Sequence, residues 1–360
     1  MLTLLKGGAM NEVLDMLTRA LLVHGEKHTA QSLGNRSEYV GLSDIASASD
    51  CLRTVVADKV RPKANNVSLN QMLTLERGHW FEHGVARAFQ SLGRHFLHQL
   101  EVCINYQDVP LRGHLDFVFL TQDEVHIVEC KSCDLIPQNI YGSYEMQIYG
   151  QMGLLTKYWN KPCFSLPGDT RQLTFPDLVQ ERYGIRLPKE ASEVDIRGSI
   201  LCLSMKEAQV FGPYYPNQTM LTAVLGLAGD IWETTQAVRA GHMELGDVGT
   251  VRGHHLLCDY CQHNYDCPRF DGITDLEIEE DLKVLLQLKD QKKELCYRIT
   301  DEENHIKALC RARLPDGGWL MGETLRVRLS QINGRTTLDK RPALFPHDPS
   351  LGWQYCCHHY

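Results

Sequence analysis

The stretch GHLDFVFLTQDEVHIVECK, residues 113–131, places an aspartate and a glutamate at the ends of two short apolar runs, with a lysine two positions after the glutamate. Strand side chains repeat every two residues, so Glu129 and Lys131 lie on one face. If the two runs pair as neighbouring strands, Asp116 and Glu129 converge. Such carboxylates repel unless they share a proton or a divalent cation, and Mg²⁺ or Mn²⁺ prefers oxygen ligands. The stretch predicts a cation site, with solvent-facing ion pairs as the alternative.

The composition describes an ordinary globular protein. The 360 residues are 43% hydrophobic and 23% charged, enough for one large domain with appendages or for two domains. The formal net charge of -8 excludes a global basic field, so a polyanion site is a local groove or is neutralised by bound cations. No apolar run has the length of a membrane span, and no signal-peptide core develops. We expect a soluble cytoplasmic protein without a membrane partner, beginning at Met1 or at Met10.

The apolar patterns follow the order helix, several strands, helix, strand, helix. This order predicts an α/β fold with a mixed central sheet flanked by helices. The first core helix carries Cys51 and has Ser43 or Asp44 as its N-cap. Charged residues with interleaved sevenfold rows of leucine and isoleucine predict one long helix over residues 275–314. That helix packs on its own domain or pairs in a dimeric coiled coil.

These patterns divide the chain into four segments. A β-hairpin with its turn at Asn333 and Gly334 is expected after the long helix. The predicted segments are an N-terminal helical extension at residues 1–40, a core at 41–270, a charged long helix or helical hairpin at 271–314, and a β-hairpin with tail at 315–360.

The strand motifs and the neighbouring helices resemble a known family. GHLDFVF, then ECK, then a helix with Gln147 resembles the RecB branch of the PD-(D/E)XK nuclease superfamily. The upstream RGHWFEHG resembles that branch's first motif, a glycine followed four residues later by a metal-binding glutamate or histidine. Counted from Gly78, this residue is Glu82, with His83 as the alternative. The resemblance implies a restriction-endonuclease-like core with a C-terminal long helix and β-hairpin added to it.

The resemblance also implies a role for each matching residue. Lys131 assists hydrolysis, and Gln147 contacts the site from its helix. Gln151 stands where the branch usually has a tyrosine, four residues after the glutamine. The implied ligands of Mg²⁺ or Mn²⁺ are Glu82 or His83, Asp116, Glu129 and the backbone carbonyl of Cys130.

A second group of residues has metal-ligand chemistry. Thirteen cysteines are many for a cytoplasmic chain, so some are expected to bind metal. CDYCQHNYDCPRF contributes Cys258, Cys261 and Cys267, and Cys51 would complete a set of four. This arrangement resembles the iron–sulfur nucleases of the same superfamily, such as the CRISPR-associated four-cysteine exonucleases and the nuclease domain of AddB. It implies a [4Fe-4S] cluster, although thiolates suit zinc equally well.

Taken together, the resemblance implies a Mg²⁺- or Mn²⁺-dependent DNA exonuclease that hydrolyses phosphodiesters at single-stranded ends. The C-terminal tail resembles phage nucleases of the YqaJ and lambda exonuclease groups, so recombination, repair, and mobile-element or CRISPR DNA processing are the expected settings, with recombination or CRISPR adaptation proteins as partners. The alternative is a non-catalytic iron–sulfur subunit that binds DNA ends and recruits a recombination or integration partner. Seven basic residues are expected to line a phosphate groove: Arg53, Arg61, Lys63, Arg77, Arg112, Lys131 and Arg269.

Overall fold

The computed structural model of the chain describes residues 5–61, 69–251, 255, 258, 261–270, 277–332 and 335–342. The chain divides into two compact units, Met1–Asp271 and Gly272–Tyr360. Among the described residues, no helix combines the length and the apolar character that crossing a membrane requires.

The first unit alternates helices and strands around one sheet. Its helices are α1 (Leu5–Ser32), α2 (Leu42–Asp50), α3 (Leu52–Val60), α4 (Leu69–Gln90), α5 (Gly142–Lys157), α6 (Phe175–Tyr183) and α7 (Gln218–Arg239). Its strands are β1 (Val40–Gly41), β2 (Phe96–Tyr106), β3 (Val109–Leu120), β4 (Glu124–Ser132), β5 (Phe164–Ser165), β6 (Asp195–Leu203) and β7 (Ala208–Tyr214).

The strands form a mixed sheet with the order β5-β2-β3-β4-β6-β7, and β1 pairs in parallel with β3. Strands β2, β3 and β4 are antiparallel neighbours, whereas β6 runs parallel to β4. Residues of α2, α5 and α7 form the large core cluster with one face of the sheet. Helix α4 forms a smaller apolar cluster with the other face, through Ala86, Phe96, Phe117 and Val128. Apolar burial on both faces holds this layer arrangement together.

Strands β2 and β3 exchange faces at one matched position. On β2, Leu97 and Leu100 both pack in the large core, although they are three residues apart. On β3, Leu115 and Val118 do the same. The register stays constant across this point, with His98 opposite Phe117 and Leu100 opposite Leu115. Gln99 and Asp116 therefore act as two matched single-residue insertions in otherwise alternating strands. Gln99 adopts a φ of 54°, in the left-handed region that non-glycine residues rarely occupy.

Cys51 interrupts the helix that the sequence predicts around it. Its φ of -154° and ψ of 107° are extended, so α2 ends before this residue and α3 begins after it. The predicted N-cap is also wrong, because α2 begins at Leu42 and the carboxylate of Asp44 accepts a hydrogen bond from the backbone N–H of Gly41, at 2.9 Å. Asp44 lies within the first turn, where a carboxylate can satisfy a free N–H group.

The second unit consists of a long helix and a small sheet. Its elements are α8 (Glu277–Arg313), β8 (Leu320–Met321), β9 (Leu325–Ile332) and β10 (Arg335–Pro342). The three strands are antiparallel in the order β10-β9-β8. Cys310, near the end of α8, is buried, whereas Leu285, Leu288 and Leu295 in the first half of the helix are about half exposed.

The predicted fold class is confirmed: a mixed central sheet is flanked by helices, and a long helix and a β-hairpin follow. The predicted hairpin turn at Asn333 and Gly334 lies outside the described residues. The interval between α5 and β6 also contains β5 and α6, which the predicted element order lacks, and β7 follows β6. These three elements are short and lack a long periodic pattern. The predicted segment boundaries within each unit stay predictions.

Candidate active site

The site begins where β3 and β4 part. These strands pair from Leu120 and Val125 as far as Phe117 and Val128. Beyond that pair, the backbone N–H of Cys130 donates to the Oδ2 of Asp116, at 2.8 Å. A side-chain carboxylate thus takes the place of a backbone acceptor. Asp116 lies in the middle of β3, not at its end as the sequence suggested, and is held at the fork between the two strands.

Glu129 and Lys131 lie on the same face of β4, as predicted. Glu129 is only 2% exposed, and its Oε1 is 2.8 Å from the Nζ of Lys131. Lys131 also donates to the Oε1 of Gln147, at 2.7 Å. The ring of Tyr144 lies below the ammonium, 4.9 Å from Nζ to the ring centroid. The lysine is therefore fixed by an ion pair, a hydrogen bond and a cation–π contact.

Helix α5 holds Glu129 with two amides. Gln147 donates to Oε1 at 2.7 Å, and Gln151, one turn later on the same helix face, donates to Oε2 at 2.5 Å. Gly150 lies between them and keeps α5 close to α2, since a Cβ there would lie 2.9 Å from Leu42. The Oε1 of Gln151 is buried without a hydrogen-bond partner. Both oxygens of the Glu129 carboxylate are thus fixed by hydrogen bonds from amide N–H groups.

Glu82 approaches from α4 on the other side. Its Oε1 is 2.8 Å from the Nε2 of His98 and accepts a hydrogen bond from Gln99 at 2.5 Å. The same Gln99 amide nitrogen donates to the Oδ1 of Asp116, at 3.1 Å. Gln99 therefore bridges the two carboxylates from the matched insertion. His83, the alternative to Glu82, is exposed at the next position along α4.

The charges at the site are unevenly balanced. Burial and the charges of Glu129 and Glu82 raise the pKa of Asp116 well above its usual value. Burial by itself would lower the pKa of Lys131, but the charge and hydrogen bond of Glu129 outweigh it and raise that pKa. Burial likewise raises the pKa of Glu82, but the hydrogen bonds from His98 and Gln99 outweigh it and lower the pKa overall. Lys131 therefore remains an ammonium at neutral pH, and Asp116 favours a proton or another positive charge beside it.

This donor set suits a hard divalent cation. Three carboxylates face one lysine, and their oxygens are the ligands that Mg²⁺ and Mn²⁺ prefer. Across the described residues, no group of three or more His, Cys, Asp or Glu side chains is spaced so that it could hold a metal ion. At the carboxylates, the amide of Gln99 stands between Glu82 and Asp116. Cation binding at this place would require that amide to move. Of Cys130, the N–H group is seen to face the site, and a role for its carbonyl stays a prediction.

The structure also brings the four predicted cysteines into one region. The pKa of Cys258 is raised by burial and by the neighbouring thiols of Cys51, Cys261 and Cys267. Burial raises the pKa of Cys51, but hydrogen bonds from the Thr54 side chain and from the backbone of Arg53, Thr54 and Val251 outweigh it. Cys51 thus lies at the N-terminus of α3, where free N–H groups stabilise a thiolate. Such N–H groups directed at sulfur also suit a metal-bound thiolate.

The arginines expected in a phosphate groove are used elsewhere. Arg53 is 2% exposed and donates to the carbonyl of His263 and to Asp266, which also pairs with Arg61. This pairing fastens the cysteine loop to α3. Arg77 pairs with Asp134, Arg112 lies 4.4 Å above the ring of Tyr39, and Arg269 donates to the carbonyl of Val251. Lys63 lies outside the described residues. As placed, these arginines hold the fold together.

Two site residues, His98 and Gln99, were missed from the sequence, and Gln151 was seen there only as a departure from the family pattern. Gln151 lies one helical turn after Gln147, so the i, i+4 spacing is a signal that could have found it. Gln99 carries no such signal, because its position depends on the exchange of faces between β2 and β3.

Comparison with known proteins finds distant similarity in structure and none in sequence. No protein-family model matches the sequence, and no curated protein is similar enough to count as a relative. Among solved structures, SSO0001 is 12% identical with a TM-score of 0.43, over 72% of this chain and 96% of that one. A candidate exonuclease from Eubacterium rectale is 11% identical with a TM-score of 0.31, over 69% of this chain and 93% of that one. Both scores are too low to carry an inference about function.

Proposed function

We propose that this protein is a divalent-cation-dependent deoxyribonuclease that acts as an exonuclease on single-stranded DNA ends. One observation carries the proposal: Asp116 is held at the fork of β3 and β4 with the charges of Glu129 and Glu82 close to it and one fixed ammonium, that of Lys131, nearby. An excess of buried negative charge costs free energy unless a cation or proton offsets it, and such sites are typically functional.

The residues have distinct parts in the proposed reaction. Glu82, Asp116 and Glu129 would hold Mg²⁺ or Mn²⁺, which supplies polarisation of the phosphoryl group and activation of water. Lys131, already protonated, cannot accept a proton and instead offsets the negative charge that develops on the phosphoryl oxygens. Gln147 and Gln151 keep the carboxylate of Glu129 in a single orientation, so that it needs no reorganisation during the reaction.

We also propose that Cys51, Cys258, Cys261 and Cys267 bind a [4Fe-4S] cluster. The thiols lie in one region, and the lowered pKa of Cys51 favours the thiolate that such a cluster requires. Anaerobically purified protein is expected to be brown, and Cys51→Ser is expected to remove the visible absorbance. Cys296→Ser, at an exposed position on α8, is the matched control and keeps the colour. A colourless protein that contains zinc would contradict the iron–sulfur assignment alone.

The nuclease proposal is tested by digestion of end-labelled single- and double-stranded DNA with Mg²⁺, Mn²⁺ or EDTA. We expect hydrolysis with either metal ion, none with EDTA, and loss of hydrolysis in Glu129→Gln. Glu124→Gln is the matched control, because Glu124 begins the same strand and pairs with Arg197 away from the site. Equal hydrolysis by wild type and Glu129→Gln would show that this cluster is not the active site.

The same assay separates the nuclease from the non-catalytic alternative. A subunit that only binds DNA ends would shift the labelled DNA in a gel-shift experiment. It would not hydrolyse that DNA, whichever divalent ion is added. Exonuclease action releases labelled mononucleotides or short products from an end, whereas a closed circular single strand stays intact.

A further inference from the structure

A cleft of about 660 Å³ opens beside the carboxylate cluster. It lies between the end of α4 and the start of β2 on one side, and the loop after β5 and the end of α6 on the other. Its lining includes Gln90, Arg94, His98, Arg182 and Tyr183.

The cleft adjoins the proposed active site at His98. His98 lines it, and the Nε2 of the same histidine is 2.8 Å from Glu82. The ring of His98 is held in this position by stacking on Phe117, with 5.2 Å between the ring centroids. A chain molecule that lies in the cleft therefore reaches the carboxylate cluster at the His98 end.

The cleft carries positive charge that no acidic residue offsets. Arg94 and Arg182 are exposed, and in the part of the chain that the structure describes neither has an aspartate or glutamate at ion-pair distance. Asp169, the acidic residue in the lining, is already held by Arg171 at 2.8 Å. Arg171 also pairs with Glu181, at 2.8 Å. Arg94 and Arg182 are thus available to an anionic ligand.

We propose that this cleft binds the phosphate backbone of the DNA strand next to the scissile phosphate, through Arg94 and Arg182. This inference rests on the proposed nuclease function and adds a second surface that contacts the DNA substrate. In this proposal the strand is unpaired, as in the proposed function, and the two arginines contact one backbone. Arginines that contact phosphates set binding strength and its salt dependence without selecting a base sequence.

The test is the salt dependence of DNA binding with EDTA present, so that no hydrolysis takes place. The probe is a fluorescent oligothymidylate, and binding is followed by anisotropy at increasing salt. Each phosphate contact on a single strand contributes roughly 0.7 to the slope of log K against log salt. The double variant Arg94→Ala/Arg182→Ala is expected to bind roughly tenfold more weakly at low salt, with a slope shallower by about 1.4. Replacing both arginines by lysine is expected to restore most of the slope.

Arg197→Ala is the matched control, since this arginine pairs with Glu124 at the start of β4 and does not line the cleft. Its affinity and salt slope are expected to equal those of wild type. A double alanine variant with the wild-type slope would overturn the cleft assignment and leave the nuclease proposal intact. Wild-type protein that fails to bind the probe at low salt would overturn the assignment as well. Hydrolysis is measured in the separate digestion assay, so a result that contradicts the nuclease function can be told apart from one that contradicts the cleft assignment.

Discussion

Strands β2 and β3 carry two acidic clusters only two residues apart, and the clusters differ in how their charge is balanced. In the first, Glu101 is 3.2 Å from the Nε2 of His114, accepts the thiol of Cys103 at 2.6 Å and has Arg112 at 3.7 Å. The hydrogen bond from His114 is the largest influence, and these groups together lower the pKa of Glu101 to about 2. The single carboxylate of this cluster therefore has three hydrogen-bond or ion-pair partners.

In the second cluster, the excess is on the acidic side. Asp116 is buried next to the charges of Glu129 and Glu82, and its pKa is raised. Both clusters include partly buried residues of β2 and β3, so burial or β-structure alone does not distinguish them. The ratio of carboxylates to cations does. A balanced cluster stabilises the fold, whereas one with excess negative charge lowers stability and favours a cation.

The largest expected effect follows from neutralising the second cluster. Asp116→Asn removes a proposed cation ligand, so we expect Mn²⁺-dependent DNA hydrolysis to fall by roughly a thousandfold. The same change relieves repulsion among three carboxylates, and the free energy of unfolding in EDTA should rise by about 1 kcal/mol. End-labelled digestion and urea unfolding measure the two effects. Asp123→Asn, in the exposed turn before β4, is the control and should change neither. Near-normal hydrolysis by Asp116→Asn would show that the excess negative charge of this cluster has no part in DNA hydrolysis.

The first cluster should respond with the opposite sign. Glu101→Gln is expected to lower the free energy of unfolding at pH 7 by about 2 kcal/mol and to leave hydrolysis within about twofold of wild type. The pKa of Glu101 is lowered from 4.5 to about 2, so its stabilisation is complete above pH 4.5 and is lost as the pH falls toward 2. Urea unfolding over this pH range should show the two proteins converging. A difference that does not change with pH would mean that charge is not the cause.

A smaller effect is expected at Gln99, which bridges Glu82 and Asp116. A cation that enters between these carboxylates must displace two hydrogen bonds from the amide. Gln99→Gly removes that competition and suits the left-handed backbone, so Mn²⁺ should bind about tenfold more tightly, or by about 1.4 kcal/mol. Calorimetric titration measures this affinity. Weaker binding in the variant would instead identify Gln99 as a ligand through its carbonyl oxygen.

The smallest effect is expected at Gln107, which is the matched control for Gln99. It has a φ of 51° and lies, exposed, in the turn between β2 and β3, followed by Asp108 with a φ of 64°. Gln107→Gly makes the same chemical change on a similar backbone, far from any carboxylate pair. We expect the Mn²⁺ affinity to be unchanged and the free energy of unfolding to shift by less than about 1 kcal/mol. A gain in Mn²⁺ affinity here would assign the Gln99 effect to backbone conformation.

The sequence predicts what depends on local patterns. Strands β2, β3 and β4 and the longer helices follow from apolar periodicity, and the register of two neighbouring strands explains why Asp116 and Glu129 were expected to converge. The exchange of faces was not predictable, because it depends on the pairing of β2 with β3, and apolar residues such as Phe117 and Val118 pack on both faces of the sheet next to it. The role of the arginines was equally hidden. Whether Arg53 or Arg94 meets a carboxylate is decided by distant segments.

The matched insertion of Gln99 and Asp116 has a consequence for how the candidate site is attached to its scaffold. Deleting both residues together would leave β2 and β3 as a regular hairpin with every apolar side chain still on its present side, whereas deleting either one would turn half a strand inside out. Chemistry and architecture are therefore separable at this point: the proposed catalytic aspartate is an addition to a hairpin that does not need it.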